Sequence, residues 1–205
     1  MQEKDLFNAE GGNNIVFGKE FYLHENFSGR EFANSELKDT EFTDCTFDKM
    51  NFEKTRLKYV RFENCTFNKS NLSLVRINGS RFIDCKFTDC KMIGINWQEA
   101  EAPIEIIMDK CKLDYSIFYG LDLRRIEITE SFAKEVNFEN ADLSKGKFNG
   151  TDFSSSKFKN TNLSFSDLRE ATNYDINPEF NKIKKAKFSM PEAMTLLQCF
   201  DIEIS

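Results

Sequence analysis

Histidine and proline are scarce in this sequence, and long apolar runs are missing. One histidine (His24) and three prolines occur among 205 residues. A serine or cysteine triad needs a histidine with matched partners, and His24 has none, so we interpret it as a surface residue. No apolar stretch reaches ten residues, which argues against a membrane-spanning helix. The amino-terminal segment also lacks a signal-peptide core. We therefore expect a cytoplasmic protein without a membrane partner.

Basic residues are also fewer than acidic residues. The chain has 28 Lys+Arg against 34 Asp+Glu, a net charge of −6, which gives no reason to expect nucleic-acid binding. The negative charge is concentrated in the second half, with −2 in residues 98–112 and −3 in residues 113–175. No phosphate-binding glycine loop is present, and no carboxylate pair stands out as a glycosidase pair. We predict that the protein is not an enzyme and needs no cofactor.

Phenylalanine, by contrast, is abundant and regularly placed. There are 22 phenylalanines, and in one long run every fifth residue is large and apolar. Phe17 and Tyr22 extend the same phase backwards. Neither the helical period near 3.6 nor the strand period of 2 fits this spacing. The run consists of Phe27, Phe32, Leu37, Phe42, Phe47, Phe52, Leu57, Phe62, Phe67, Leu72, Ile77, Phe82, Phe87, Met92 and Trp97.

A chain that turns a corner every five residues accounts for this period. Two of every five residues then face inward, the large one and a small one two positions before it. Four sides close a square coil of twenty residues, so that Phe42, Phe62 and Phe82 lie above one another. Stacked coils are about 4.8 Å apart and are joined by backbone hydrogen bonds. The sequence thus predicts an all-β, four-sided solenoid.

The cysteines fit the small inward positions of this coil. Five of the six, all except Cys199, lie two residues before a large apolar residue, where cysteine packs as a compact hydrophobe. Cys85 and Cys90 have no second ligand pair after them, as a zinc site would need. We predict core thiols rather than a metal site, and free thiols favour a reducing compartment. The five are Cys45, Cys65, Cys85, Cys90 and Cys111.

The series breaks once. It stops at Trp97 and resumes at Leu113, sixteen residues on, which is one more than three units of five. We interpret residues 98–112 as an irregular side or a short protruding loop. This segment contains Pro103 and four acids, and if the protein has a specific partner we expect these acids to contact it. They are Glu99, Glu101, Glu105 and Asp109.

The second series runs from Leu113 to Leu168 and has one weak point. Ala133 underfills its large site, and Phe132 stands beside it. Two explanations remain open: the coil is distorted there, which we favour, or Phe132 is an exposed contact residue.

These patterns divide the chain into three parts. We expect a lead-in at 1–16, a repeat array at 17–175 with its phase break at 98–112, and a capping or dimerisation segment at 176–205. In the last part, Ser189 is a candidate N-cap for a short helix, and residues 201–205 alternate like a short strand. The helix would cover the open end of the solenoid and could also pair two chains through its apolar residues Met194, Leu197 and Phe200.

The five-residue unit resembles the pentapeptide repeat. The stretches Ala141–Lys145 (ADLSK), Thr161–Phe165 (TNLSF) and Ser166–Glu170 (SDLRE) match its pattern of small residue, Asp or Asn, Leu or Phe and two polar residues. The match covers about residues 17–172. This resemblance implies a right-handed quadrilateral β-helix, that is, a pentapeptide-repeat solenoid with a short C-terminal helix and strand.

More narrowly, the layout resembles the quinolone-resistance (Qnr) and microcin B17 immunity branch of that family. Members of the branch are similar to B-form DNA in shape and acidity, form dimers through the C-terminus, and protect DNA gyrase or topoisomerase IV from inhibitors. The resemblance implies a type II topoisomerase as partner and a homodimer. The alternative is a general protein-interaction scaffold with an unrelated partner.

The charge pattern departs from DNA mimicry. A mimic needs rows of negative charge in place of phosphates, and such a row would have to come from residues 98–175. In the first coils, Arg61 and Arg81 follow Glu41 in one column, and Arg56 and Arg76 stack on the neighbouring side.

Overall fold

The protein forms a four-sided parallel β-solenoid in a computed structural model that describes residues 16–200 and 202. The expected lead-in falls almost wholly outside these residues, as does nearly all of the strand expected at 201–205. The coils repeat every twenty residues, since Phe21 pairs with Glu41 and Glu41 with Arg61. The strands are β1 (Phe21–Leu23), β2 (Asn26–Ser28), β3 (Glu36–Lys38), β4 (Glu41–Thr43), β5 (Thr46–Asp48), β6 (Arg56–Lys58), β7 (Arg61–Glu63), β8 (Thr66–Asn68), β9 (Arg81–Thr88), β10 (Ile104–Asp109), β11 (Glu127–Thr129), β12 (Asp167–Leu168) and β13 (Lys187–Phe188).

Each side of a coil is built in the same way. The middle residue of a short strand is buried and its two neighbours face outward, as in β4 and β7. The residue after each strand turns the corner with a positive φ, for example 53° at Asp44 and 51° at Asn64. Asp and Asn adopt this left-handed region more readily than most residues. The backbone then pairs between coils, because Thr46 N donates to Glu25 O at 2.9 Å.

The large inward residues form four columns, which define the four sides. All members of both predicted series are buried, so the five-residue interpretation of the core is confirmed. In the first coils, side A carries Tyr22, Phe42, Phe62 and Phe82, side B carries Phe27, Phe47, Phe67 and Phe87, side C carries Phe32, Phe52, Leu72 and Met92, and side D carries Leu37, Leu57, Ile77 and Trp97.

The phase break is a one-residue insertion, not a protruding loop over the whole of 98–112. Lys91 pairs with Lys112, an offset of 21 residues instead of 20. A 3₁₀ turn (Trp97–Glu99) precedes the irregular stretch, and β10 then pairs with β9, with a register shift between Ile104 and Ile106. Stacking continues through the break, because Trp97 lies 5.7 Å from Phe118 with nearly parallel rings.

The solenoid continues beyond the expected boundary at 175. Asn162 pairs with Lys182, and β12 pairs with β13. The sequence pattern missed this coil because one of its inward positions holds Asn181, a polar residue. Its amide is buried but fully used: Nδ2 donates to Phe158 O at 3.0 Å, and Oδ1 accepts from Thr161 N at 3.0 Å. Hydrogen bonding removes the penalty of burying it.

Two smaller predictions were wrong. The coil at Ala133 is not distorted: Phe132 pairs with both Lys112 and Asp152, and its side chain is 53 % exposed. The Ser189 hydroxyl does not cap the C-terminal 3₁₀ helix (Glu192–Phe200), since it accepts from Glu170 N of the neighbouring coil at 2.8 Å. No helix in the described part of the chain has the length and apolar character to cross a membrane.

Candidate interaction surface

The described residues do not bring a reactive nucleophile together with a base. The His24 side chain is 70 % exposed, and its Nδ1 lies 3.5 Å from Asp44. The five inward thiols are buried, as predicted, and burial raises the pKa of Cys85 to about 12. Such a thiol stays protonated and unreactive near neutral pH. The chemistry that the solenoid offers is therefore that of its outward side chains.

The four acids near the phase break lie apart from one another and face basic residues. Glu101 accepts from Arg81 Nε at 2.6 Å, and Asp109 accepts from Thr129 Oγ1 at 2.9 Å. Glu105 is exposed in a groove of about 670 Å³ that Arg124 and Arg125 also line. These three acids follow one another along sides A and B. They do not form a column along the solenoid axis.

Glu99 is separated from the other three. It lies at the end of side D and lines a groove of about 860 Å³ together with Lys54, Arg56 and Arg76. Glu101 therefore has an ion pair and Asp109 has a hydrogen-bond donor. Glu99 and Glu105 share grooves with basic residues but form no ion pair among the described residues.

Carboxylates in the following coils are also neutralised locally. Lys147 Nζ lies 2.6 Å from Glu127 on the coil below. Asp122 receives two hydrogen bonds of 2.7 Å from Arg124, and Arg124 holds the pKa of Asp122 below its usual value. Residues 98–175 are all described, and they do not present the unbroken negative row that phosphate mimicry needs.

Exposed aromatic residues form a feature that the sequence analysis largely missed. Tyr115 is 54 % exposed, Tyr119 42 % and Phe132 53 %. All three occupy outward positions on sides C and D of successive coils, beside the phase break. The signal was available, because these are large residues that fall outside the five-residue phase. Aromatic residues are enriched in protein interfaces.

The C-terminal 3₁₀ helix leaves apolar side chains partly uncovered. Leu196 packs against the core, whereas Met194 and Leu197 are only half-buried and Phe200 is 57 % exposed. The three residues predicted for dimerisation therefore present an apolar surface at the end of the solenoid, on one helix.

Comparison with known proteins identifies the repeat. A family model described as "pentapeptide repeat region" matches residues 22–85, and one described as "pentapeptide repeats (8 copies)" matches residues 137–172. No curated protein matches the sequence.

Solved structures share the fold at low sequence identity. Two trypsin-treated variants of QnrB1, a plasmid-mediated fluoroquinolone resistance protein, are 21% and 20% identical. The first match covers 91% of this chain and 90% of that chain with a TM-score of 0.60, and the second covers 90% of each with a TM-score of 0.59. HetL of Nostoc sp. strain PCC 7120, a pentapeptide-repeat protein involved in heterocyst differentiation regulation, is 15% identical, covering 82% of this chain and 87% of that chain with a TM-score of 0.42.

At these identities the two QnrB1 matches establish the architecture, and the two family models establish the repeat itself. The chain is a pentapeptide-repeat protein, and its fold resembles that of QnrB1.

Proposed function

We propose that this protein is a non-enzymatic binding solenoid whose partner is a type II topoisomerase and that it relieves quinolone-type inhibition. The observation that carries the proposal is the match to QnrB1 over 91% of this chain and 90% of that one, without a large missing segment on either side. QnrB1 is a fluoroquinolone resistance protein. The lack of a nucleophile paired with a base in the described residues agrees with a role that depends on binding.

The mode of binding that we propose is contact through the coils at the phase break. Local neutralisation of Asp122 and Glu127 disfavours a phosphate-like row as the recognition element. Glu99 and Glu105 are the acids of residues 98–112 whose side chains form neither an ion pair nor a hydrogen bond with the described residues. The exposed Tyr115, Tyr119 and Phe132 lie on nearby sides. Binding would combine these carboxylates with aromatic contacts.

A supercoiling assay tests the proposal. Purified protein is titrated into DNA gyrase with relaxed plasmid and ciprofloxacin, and we expect supercoiling to recover with increasing protein. The double variant Glu99→Gln/Glu105→Gln should lower the rescue, whereas Glu135→Gln/Glu170→Gln, an equal charge change at exposed positions in later coils, should retain it. No rescue at any protein concentration, with both gyrase and topoisomerase IV, would overturn the proposal.

We further propose a homodimer formed through the C-terminal helix. Its support is the half-buried pair Met194 and Leu197 together with the exposed Phe200, which a second copy would cover. An exposed apolar end on a solenoid is unfavourable unless it is capped or paired.

The second candidate function is a protein-interaction scaffold with an unrelated partner. The mixed charge of residues 98–175 favours a scaffold. A surface that carries both signs of charge is compatible with many protein partners, whereas a DNA-binding channel would select a negatively charged surface. Affinity purification with chemical cross-linking distinguishes the two candidates. A cross-linked partner other than a topoisomerase, attached near Tyr115 or Phe132, would support the scaffold.

A further inference from the structure

Side D of the amino-terminal half carries a concentration of positive charge. Six outward side chains flank its buried Leu37, Leu57 and Ile77, and four of them are cations, in a chain whose net charge is −6. We call these six residues the cationic platform. They are Glu36, Lys38, Arg56, Lys58, Arg76 and Asn78.

The register of the solenoid places like charges of the platform next to each other. Lys38 pairs with Lys58 in the β3–β6 ladder, and Arg56 bridges to Arg76 one coil further. Adjacent strands are about 4.8 Å apart, and like charges directly opposite one another are destabilising. Arg61 also pairs with Arg81, but there Glu63 and Glu101 form ion pairs with the two arginines. The platform therefore keeps an unfavourable arrangement that an anionic partner would relieve.

The one carboxylate of the platform is shared among several cations. Glu36 forms an ion pair with Lys38, and its Oε2 lies 3.6 Å from Arg56 Nε. A hydrogen bond from Lys38, followed by the charges of Lys38, Arg56 and Lys58, lowers the pKa of Glu36. The Arg76 guanidinium makes no ion pair or hydrogen bond with any residue that the structure describes. Glu36 alone cannot neutralise four cations.

Both edges of the platform offer contacts typical of protein interfaces. The groove of about 860 Å³ runs along one edge. In this groove Leu74 packs closely against Gly94, because a Cβ atom added to that glycine would lie 2.7 Å from Leu74 Cδ2. Along the other edge, Tyr59 is 56 % exposed and its ring lies against Gly79, where an added Cβ would be 2.5 Å from Cδ1 and Cε1. Arginine and tyrosine are the residue types that most often dominate binding energy at interfaces.

We propose that the cationic platform binds an acidic, extended segment of a partner protein. Arg56 and Lys58 are two residues apart on one strand, so about 6.6 to 7 Å separates them along it. Alternate side chains of an extended peptide have the same repeat, which allows two carboxylates to meet these two cations. Arg76 lies one strand spacing beside Arg56, so it adds positive charge next to the first carboxylate. An apolar side chain of the segment would enter the groove beside Leu74. The inference holds whether or not the partner is a topoisomerase.

A protein segment fits the platform better than a nucleic acid does. The four cations occupy one short stretch of one side, in a molecule whose net charge is −6, and nucleic acid binding depends on neutralising several phosphates along a basic surface. The apolar Leu74 and the exposed Tyr59 also match the side chains of a peptide.

Fluorescence anisotropy with the full chain tests this inference. The probe is a fluorescein-labelled peptide of alternating glutamate and threonine with one central leucine, and the comparison probes are the same peptide with lysine for glutamate and a single-stranded DNA oligonucleotide. We expect saturable binding of the acidic peptide alone. Because the Debye length shortens to a few ångströms, raising the ionic strength from about 0.05 to about 0.5 M should weaken this binding.

Matched variants locate the site. Arg56→Glu/Arg76→Glu should lower the affinity about tenfold, because two attractive charge pairs become repulsive. Lys157→Glu/Lys159→Glu makes the same charge change on the same side of a later coil, and it should leave the affinity within about twofold. The Arg76 guanidinium has no partner within the described part of the chain, so Arg76→Gln should weaken binding about threefold without altering the unfolding midpoint.

Three outcomes would overturn the inference. They are no saturable binding of the acidic peptide, an equal loss in both double variants, and tighter binding of the DNA oligonucleotide that the Arg56→Glu/Arg76→Glu variant abolishes. The second outcome would indicate a response to net charge alone, and the third a nucleic-acid surface.

Discussion

At the residue scale, Phe62 shows how a core aromatic residue contacts rings above, below and beside it. Phe62 is 2 % exposed, and its ring lies 5.2 Å from Phe42 and 5.3 Å from Phe82 in stacked geometry. Phe47 and Phe67 of side B meet the same ring edge-on, at 5.8 and 5.3 Å. Stacked and edge-to-face pairs add about 0.5–1.5 kcal/mol beyond area burial. A single inward phenylalanine therefore supports two coils and two sides.

Removing this ring should be costly. We expect Phe62→Ala to lower the free energy of unfolding by about 3–5 kcal/mol, because the cavity lies in the middle of a column that cannot collapse. Urea unfolding followed by circular dichroism measures it. The control is Phe132→Ala, where the ring is already 53 % exposed, and we expect a change of about 0.5 kcal/mol or less. A loss below about 1 kcal/mol for Phe62→Ala would contradict the role assigned to the column.

At the scale of single elements, one carboxylate of β12 is held by an arginine of its own coil and faces a lysine of the last coil. Asp167 of β12 receives hydrogen bonds from Arg169 Nε at 2.9 Å and Nη2 at 2.6 Å. Lys187 of β13 approaches it at 3.9 Å. The hydrogen bonds from Arg169, with smaller contributions from the charges of Arg169 and Lys187, lower the pKa of Asp167 to about 2. The side chain is 17 % exposed, so solvent screens these interactions only in part.

This pKa shift predicts a pH-dependent contribution to stability. A carboxylate whose pKa is lower in the folded state stabilises the fold above its unfolded pKa, and the stabilisation disappears as the pH falls through its folded pKa. The free energy of unfolding of the wild-type protein should exceed that of Asp167→Asn by about 1–2 kcal/mol near pH 7. This difference should shrink between about pH 4 and pH 2. Arg169→Ala should reduce the same pH-dependent difference. Parallel stability curves for wild type and Asp167→Asn down to pH 2 would show that the ionised Asp167 side chain does not stabilise the folded state.

At the scale of the whole molecule, the carboxyl-terminal end is the candidate contact between two copies. Leu196 faces the core while Phe200 remains 57 % exposed. The exposed Met190, at 68 %, lies just before this helix. A second copy placed on this end would bury these side chains, at roughly 25 cal/mol for each Å² of apolar surface.

Charged substitutions on this helix test the homodimer. Light scattering should give a dimeric mass for the full chain and a monomeric mass for Leu197→Glu/Phe200→Glu, because a buried unpaired carboxylate is strongly unfavourable. Gln198→Glu, at an exposed position of the same helix, should remain dimeric. If the unsubstituted full chain is already a monomer, the helix acts only as a cap.

The sequence alone determined the architecture, because the five-residue period is local. Any large residue in phase, from Phe27 to Leu168, must face inward once the chain turns a corner every five residues. The same logic placed Cys45, Cys65 and Cys85 inside. This prediction failed for the last coil, where Asn181, a polar residue, occupies an inward position. A hydrophobic pattern cannot show that hydrogen bonds to Phe158 and Thr161 allow this side chain to be buried.

Only the tertiary structure decided what the outward side chains do. Glu101 pairs with Arg81 at the ordinary offset of 20 residues, just before the insertion, whereas Lys112 pairs with Lys91 at an offset of 21. These pairs depend on where the chain accommodates the extra residue. Among the described residues Arg76 has no side-chain partner while Lys147 pairs with Glu127, although both are outward cations in the same repeat. The interior follows from period and side-chain size, whereas the charge pattern of the surface depends on the register between coils and on side-chain conformation.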